Sequence, residues 1–181
     1  METWVGSLAV IVVTGTPGTG KSEFASRLSE RLNYEYVDLN GFLIDAGCTT
    51  GYDDERQSHI IDLARGKTLV EETFSRGRFV LESHLAHLTV PKAMTSTCFV
   101  LRCSPYLLME RLRARGFSER KVKENCAAEI LDTILLEAIE RYGRDVICEL
   151  DASRDLEVMV EEAVEVLRGD RPRVVGDVDW L

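Results

Sequence analysis

The sequence predicts one α/β domain, residues 1–181, in which helices cover both faces of a five-stranded parallel sheet. Short, continuously apolar runs alternate along the chain with segments of amphipathic helical pattern, an order typical of such a sheet. The length of 181 residues fits one domain, and 45% hydrophobic with 29% charged residues is an ordinary globular composition. No internal repeat or low-complexity linker divides the sequence, so we expect a single core.

The predicted strands are rich in β-branched residues and lack polar alternation, as expected of strands buried on both faces. The clearest is the run LAVIVV, which ends just before a glycine-rich turn. The five predicted strands span residues 8–13, 34–39, 78–83, 97–102 and 146–150.

The predicted helices carry apolar residues at spacings of three and four. The first follows the glycine-rich turn and places Phe24 and Leu28 on one stripe. The stretch 40–76 is the least regular, because glycines interrupt it before a helical pattern begins near His59. The predicted helices span residues 21–32, about 59–74, 106–115, about 118–142 and 156–167.

Composition and charge exclude several classes of protein. The formal net charge of −9 argues against a protein that coats nucleic acid, although it leaves room for a local basic groove. The five cysteines are scattered and never spaced as C-x-x-C, which indicates neither a disulfide framework nor a zinc site. The first apolar run is too short to cross a membrane and lacks the basic flank of a signal peptide. We therefore expect a soluble, cytoplasmic protein with reduced thiols and no membrane partner.

Residues 15–22, with the sequence GTPGTGKS, match the pattern G-x-x-x-x-G-K-[ST] at every position. This pattern is typical of a P-loop, in which backbone N–H groups and the start of a helix surround phosphate oxygens. A chance match in a glycine-rich turn is the alternative, but the motif falls between a predicted buried strand and an amphipathic helix. We therefore expect binding of ATP or a close relative and transfer of its γ-phosphoryl group. The loop residues expected at the nucleotide are Gly15, Pro17, Gly18, Thr19, Gly20, Lys21 and Ser22.

Four side chains in and near the loop have the chemistry for phosphate and metal binding. Lys21 can reach the β- and γ-phosphate oxygens, and the Ser22 hydroxyl can hold Mg²⁺. Glu82 ends the third predicted strand, where an acid can help to hold the metal; its alternative is a strand-end carboxylate in solvent. His84 faces the same way as Glu82 if the strand continues, and both a catalytic and a structural role are open for it.

Arg111 and Arg115 lie one helical turn apart, just before Gly116. Two guanidinium groups on one helix face could stabilise the charge that spreads over a transferring phosphoryl group. Their alternative is a solvated basic face that pairs with Glu110 and Glu119.

Together these motifs resemble a known family, the small archaeal and eukaryotic nuclear adenylate-kinase-type NTPases linked to maturation of the small ribosomal subunit. The resemblance covers most of the chain, and the combination of motifs is much narrower than the P-loop that a whole superfamily shares. The matching segments are GTPGTGKS at 15–22, ESHLAHL at 82–88, LRCSP at 101–105, RLRARGF at 111–117, KVKEN at 121–125, Ala128 with Glu129, LEA at 136–138 and VGDVDW at 175–180.

The resemblance implies how the rest of the site is arranged. Glu23 would line the triphosphate site together with residues of the loop. Residues 39–65 would form the segment that binds a nucleoside monophosphate. Residues 114–124 would form a short lid, from which Arg115 contacts ATP.

The sequence differs from the family's pattern at the metal-associated acid, and it leaves the arginine that binds the acceptor phosphate unassigned. Glu82 and His84 stand where the family has a metal-associated acid and a histidine implicated in hydrolysis, but the acid is more often Asp. In the stretch 40–57, Arg56 is the single arginine, so no arginine is assigned to the acceptor phosphate.

The resemblance implies the reaction MgATP + NMP ⇌ ADP + NDP, with AMP as the favoured acceptor, and an ATPase activity if His84 positions a water. A second hypothesis is an ATP-driven switch in ribosome assembly that binds ribosomal protein S11 and transiently contacts the pre-ribosome or its rRNA. A third is a P-loop kinase of another small metabolite, such as shikimate or gluconate.

Other polar residues have simpler interpretations. We expect His87 to be structural, His59 to be a surface residue and Trp180 to pack near the terminus. The last predicted helix carries glutamates that we expect to form a solvated face. These are Glu161, Glu162 and Glu165.

Overall fold

The computed structural model describes residues 9–54 and 58–180. Five of its strands form a sheet in which every neighbouring pair is parallel, and two form a separate antiparallel hairpin. The strands are β1 (Ala9–Gly15), β2 (Glu35–Asp38), β3 (Thr49–Asp53), β4 (Ser58–Ile61), β5 (Arg78–Glu82), β6 (Thr95–Arg102) and β7 (Ile147–Asp151). The sheet has the order β2-β5-β1-β6-β7, which confirms the predicted five-stranded parallel sheet.

Helices cover both faces of this sheet, as predicted. They are α1 (Lys21–Leu32), α2 (Leu39–Asp45), α3 (Leu63–Phe74), α4 (Ala86–Thr89), α5 (Pro105–Ala114), α6 (Glu119–Ile130), α7 (Thr133–Tyr142) and α8 (Leu156–Arg168), with a 3-10 turn at Lys92–Met94. Helices α1 and α8 share one apolar cluster, whereas α3, α4 and α7 contribute to the cluster on the opposite face.

The central strand β1 explains why an uninterrupted apolar run was a good predictor. Val10 and Val12 belong to one core cluster, and Ile11 and Val13 belong to the other. Because successive side chains of a strand point to opposite faces, a strand covered on both sides must be apolar at every position. The predicted start of this strand at residue 8 lies outside the described residues.

The helix predicted over about 59–74 begins later than expected. Residues 58–61 are strand β4, paired with β3, and His59 is exposed on this hairpin. Helix α3 starts at Leu63 because the Asp62 side chain caps it, with its Oδ1 accepting the Arg65 N–H at 3.1 Å.

The long helix predicted over about 118–142 is wrong, because two helices, α6 and α7, occupy this stretch. The chain turns at Asp132, whose φ of 55° is a left-handed conformation that interrupts the helix. The Asp132 carboxylate accepts a hydrogen bond from the buried guanidinium of Arg102 on β6. A hydrogen bond from a strand that is distant in sequence therefore stabilises the break between α6 and α7, which the local sequence pattern does not predict.

All five cysteines lie in buried positions as free thiols, where they pack as small apolar side chains. Over the residues that the structure describes, no helix is both long and apolar enough to traverse a bilayer.

Candidate nucleotide-binding site

The P-loop connects the end of β1 to the start of α1 at the carboxyl edge of the sheet. Gly15 passes so close to β6 that a Cβ atom would lie 2.4 Å from the Leu101 carbonyl oxygen. Gly20 has a φ of 96° and precedes the first helical residue, Lys21. Both glycines are therefore required by the backbone itself, one by close approach and one by conformation.

The N-terminus of α1 opens into this loop without a side-chain cap, since Gly20 has none to offer. The first N–H groups of a helix have no intrahelical partner, and the helix dipole adds partial positive charge to them. Ser22 and Glu23, in the first turn, are exposed. The loop and helix thus present the donors that an anion requires.

Lys21 is buried, and its Nζ donates a hydrogen bond to the Thr16 carbonyl oxygen at 3.0 Å. Burial lowers the pKa of Lys21 to about 8, against the opposing effect of Glu82. The ammonium group is therefore held against the loop in a site of low dielectric, where its charge acts strongly on a bound anion.

Ser22 and Glu82 meet beside Lys21. The Ser22 hydroxyl donates to Glu82 Oε2 at 2.9 Å, and the Tyr36 hydroxyl reaches the same oxygen at 3.4 Å. Glu82 is only 6% exposed, so the interpretation of a strand-end carboxylate in solvent is wrong. Burial raises the pKa of Glu82, whereas Lys21 opposes this shift.

The Ser22–Glu82 pair fits Mg²⁺ chemically, because a hydroxyl and a carboxylate are the oxygen donors that this ion prefers. Among the described residues there is no cluster of three His, Cys, Asp or Glu that could enclose a metal. A magnesium ion here would therefore complete its shell with water and nucleotide phosphates, as this ion commonly does.

His84 lies just past the end of β5, close enough to Lys21 for the lysine's charge to act on it. Burial and then Lys21 lower the pKa of His84 to about 4, so its imidazole is neutral at pH 7. His87, on α4, is different: its ring nitrogens contact Thr14 Oγ1 and Glu137 Oε2, each at 3.0 Å. This geometry confirms the structural role expected for His87.

Arg111 reaches the loop, with its Nη1 donating to the Thr19 carbonyl oxygen at 3.3 Å. Arg115 is exposed at the end of α5, and its charge is one cause of the lowered pKa of Lys21. The residue that forms a surface ion pair is instead Arg113, which lies between them in sequence. Its guanidinium binds both carboxylate oxygens of Glu119.

The structure thus brings Lys21, Ser22, Glu82 and Arg111 together around the loop, with His84 and Arg115 within electrostatic range of Lys21. Sequence reasoning did not assign Glu129, whose carboxylate accepts the hydroxyl of the loop residue Thr16. One signal was available. Val122, Cys126 and Glu129 form the buried stripe of α6, and an acid at an apolar position of a helix needs a partner.

Residues 39–65 comprise α2, the β3–β4 hairpin and the first turn of α3, and Arg56 lies outside the described residues. Arg65 Nη1 donates to the Gly47 carbonyl oxygen at 3.2 Å. Arg65 also lines an open groove of about 470 Å³ between α3 and the turn that follows α2. Residues 114–124 form the turn between α5 and α6 and the first part of α6.

Comparison with known proteins places this fold and loop in context. A family model described as an AAA domain matches residues 11–132. Two proteins named "Putative adenylate kinase" each align with 94% of this chain and 91% of their own length: that of Thermococcus onnurineus is 40% identical, and that of Pyrococcus abyssi is 39% identical.

A solved structure, shikimate kinase from Acinetobacter baumannii in complex with shikimate, is 15% identical and covers 92% of this chain and 97% of its own, with a TM-score of 0.65. At that identity the likeness is one of fold, the P-loop kinase fold. The identity and coverage of the archaeal relatives go further. This chain belongs to the family of archaeal P-loop proteins that carry the name "Putative adenylate kinase".

Proposed function

We propose that the protein is an adenylate kinase that transfers the γ-phosphoryl group of MgATP to AMP and releases two ADP. The observation that carries this proposal is the Ser22–Glu82 hydrogen bond beside Lys21, at the uncapped start of α1. Metal-type oxygen donors, a buried ammonium group and free helix N–H groups together form a site for a magnesium-bound polyphosphate. The name of the archaeal relatives supports the choice of AMP as acceptor.

Catalysis in this site consists of positioning and charge stabilisation, since phosphoryl transfer needs no covalent intermediate with the protein. The loop N–H groups and Lys21 hold the phosphates. To do so, the Lys21 ammonium group leaves the Thr16 carbonyl oxygen and binds phosphate oxygens instead. Arg111 and Arg115 approach the charge that spreads over the transferring group. Mg²⁺, held by Ser22 and Glu82, would neutralise phosphate charge when bound.

The acceptor and the lid complete the proposed site. Residues 39–65 would hold the nucleoside monophosphate, AMP first and other bases more weakly. Residues 114–124 would close over the phosphates and exclude water, which limits wasteful hydrolysis. Where a water does enter, the neutral imidazole of His84 would position it, and the protein then acts as an ATPase.

A second candidate is an ATP-driven switch that binds ribosomal protein S11 during assembly of the small ribosomal subunit, in the cytoplasm and in contact with pre-rRNA. The hairpin favours it, because Tyr52 and Ile60 are 50% and 49% exposed there and Asp53 and Asp54 follow Tyr52. An apolar surface with acidic neighbours suits a basic protein.

The test is incubation of the purified protein with MgATP, with and without AMP, GMP, CMP or UMP, and measurement of ADP and the diphosphate products. ADP with a matching diphosphate supports the kinase, and the acceptor ranking gives its specificity. ADP released at the same rate without acceptor, and no other diphosphate, supports the switch. ATP binding without transfer to any monophosphate favours a kinase of another small metabolite.

A further inference from the structure

Arg102 lies inside the protein among more negative charge than it can neutralise. Its guanidinium binds the carboxylates of Glu129 at 2.8 Å, Glu149 at 2.5 Å and also Asp132. The side chains of Arg102, Glu129 and Glu149 are 2%, 2% and 0% exposed. One buried cation faces two buried anions and a third at the edge, so the carboxylates need further hydrogen-bond donors.

The C-terminal tail supplies these donors. Residues 174–180, which we call the tail strap, follow α8 and return to the sheet, where Glu149 N donates to the Val174 carbonyl oxygen at 2.8 Å. Glu149 Oε2 accepts the backbone N–H groups of Gly176 at 2.7 Å and Asp177 at 3.1 Å. The indole N–H of Trp180 donates to Glu129 Oε1 at 3.2 Å.

The second oxygen of Glu129 faces the P-loop. Glu129 Oε2 accepts the Thr16 hydroxyl at 2.5 Å, and the Thr16 carbonyl oxygen accepts both Lys21 Nζ and the Thr19 hydroxyl at 3.0 Å. A single carboxylate therefore connects Trp180 of the tail strap to the residue against which Lys21 rests.

We propose that Glu129 is a positioning residue for the P-loop and that the tail strap sets the protein's ATP affinity through it. When Trp180 loses its bond, Glu129 shifts towards its remaining donors, Arg102 and the Cys103 N–H at 3.0 Å, and Thr16 moves with it. The effect is reciprocal: if the contact of the strap with Glu129 strengthens ATP binding, then ATP binding stabilises that contact by the same free energy. The inference rests on the proposed function in one respect, that the loop binds ATP.

The first test is a double-mutant cycle on ATP affinity, measured by calorimetry without acceptor. Trp180→Phe keeps an aromatic ring but removes the indole N–H, and it should weaken ATP binding by about 3- to 10-fold. Thr16→Val disconnects the loop from Glu129. The double variant should then bind ATP no more weakly than Thr16→Val alone. Effects that multiply in the double variant would overturn the inference.

A matched control separates coupling from a general loosening of the tail. Arg173 anchors the chain just before the strap, with its Nη2 donating to Thr97 Oγ1 at 2.9 Å, and it touches neither carboxylate. Arg173→Gln should leave ATP affinity within about twofold of the wild type, as expected of a site outside the network. An equal loss in Arg173→Gln and Trp180→Phe would reduce the strap to a structural role and end the proposal.

A readout without nucleotide keeps the two proposals distinct. The Thr19 N–H donates to the Thr16 carbonyl oxygen at 3.2 Å, so its hydrogen exchange reports on the loop. Trp180→Phe should accelerate this exchange, and Arg173→Gln should not. If the exchange responds but no variant binds ATP, the proposed function fails and the coupling stands. If ATP binds and the exchange is the same in all variants, the coupling fails and the proposed function stands.

Discussion

The Ser22 hydroxyl donates to Glu82 Oε2 at 2.9 Å and so joins the first turn of α1 to the end of β5. The family that the sequence resembles has Asp more often than Glu at this position. Here the longer side chain spans the distance from its strand to the helix. A shorter acid would withdraw the carboxylate from the hydroxyl with which it is proposed to share a metal.

The first prediction concerns this pair. Glu82→Gln should lower ATP turnover by about 100-fold, because an amide replaces the charged metal donor. The free energy of unfolding should not fall, since burial already opposes the charge of Glu82. Turnover as a function of Mg²⁺ concentration, beside a urea titration, measures both effects. Glu82→Asp should need more Mg²⁺ yet keep part of the activity; wild-type Mg²⁺ dependence in both variants would contradict the metal role.

The second prediction compares two arginines of α5. Arg111→Gln should lower kcat for phosphoryl transfer by about 10- to 100-fold, because a cation beside the loop is lost. Arg113→Gln is the matched control: its ion pair with Glu119 is exposed, so kcat should stay within about twofold of the wild type. Steady-state kinetics with saturating ATP and AMP give the comparison, and similar losses in the two variants would remove Arg111 from the mechanism.

The third prediction separates hydrolysis from transfer. His84→Ala should lower acceptor-independent ATP hydrolysis by about 10-fold or more, because a water-positioning group is lost, while transfer to AMP changes less. His87→Gln, on the buried side of the same segment, should instead reduce both activities in parallel with stability. The measurement is ADP release with and without AMP. A His84→Ala variant that loses transfer at least as much as hydrolysis would argue against the water-positioning role.

The fourth prediction is a pH dependence of stability. Burial lowers the pKa of His87, although Glu137 opposes the shift. Near pH 6.5 the unfolded chain takes up a proton that the folded protein resists, so the contribution of His87 to the free energy of unfolding should fall as pH drops from about 7 to 5, by at most about 1.4 kcal/mol per pH unit. His84, whose pKa is also lowered, adds to the total fall. Urea titrations at both pH values check this. The fall should be smaller in His87→Gln, and an equal fall in variant and wild type would refute it.

Much of the fold could be predicted because its signals are local. Val10 to Val13 are apolar without interruption since helices cover both faces of β1. Gly20 is likewise set by local backbone geometry, because its φ of 96° directly precedes the first residue of α1. The proximity of Lys21, Ser22 and Glu82 could be predicted because strand-end and helix-start positions meet at the carboxyl edge of a parallel sheet.

The missed features depend on partners that are far apart in sequence. The turn at Asp132 lies within an otherwise helical pattern, and it is held by Arg102, which is thirty residues away. The glutamates of α8 were expected to be solvated, but Glu162 binds both Arg154 and Arg171. Thr16 and Glu129 are separated by 113 residues, so no local pattern could pair them.

Lys21 already has a partner in the protein before any nucleotide arrives, the carbonyl oxygen of Thr16. Binding of an anion is therefore an exchange, in which the ammonium group gives up one acceptor to gain another. The binding free energy that Lys21 contributes is therefore only the difference between its interaction with the ligand's oxygens and its interaction with that carbonyl oxygen. A single phosphate offers few contacts to compensate for the exchange, whereas a triphosphate that spans the loop and the helix start offers many. If the loop binds nucleotide as proposed, the resting contact of Lys21 would therefore disfavour small anions such as orthophosphate relative to long polyphosphates.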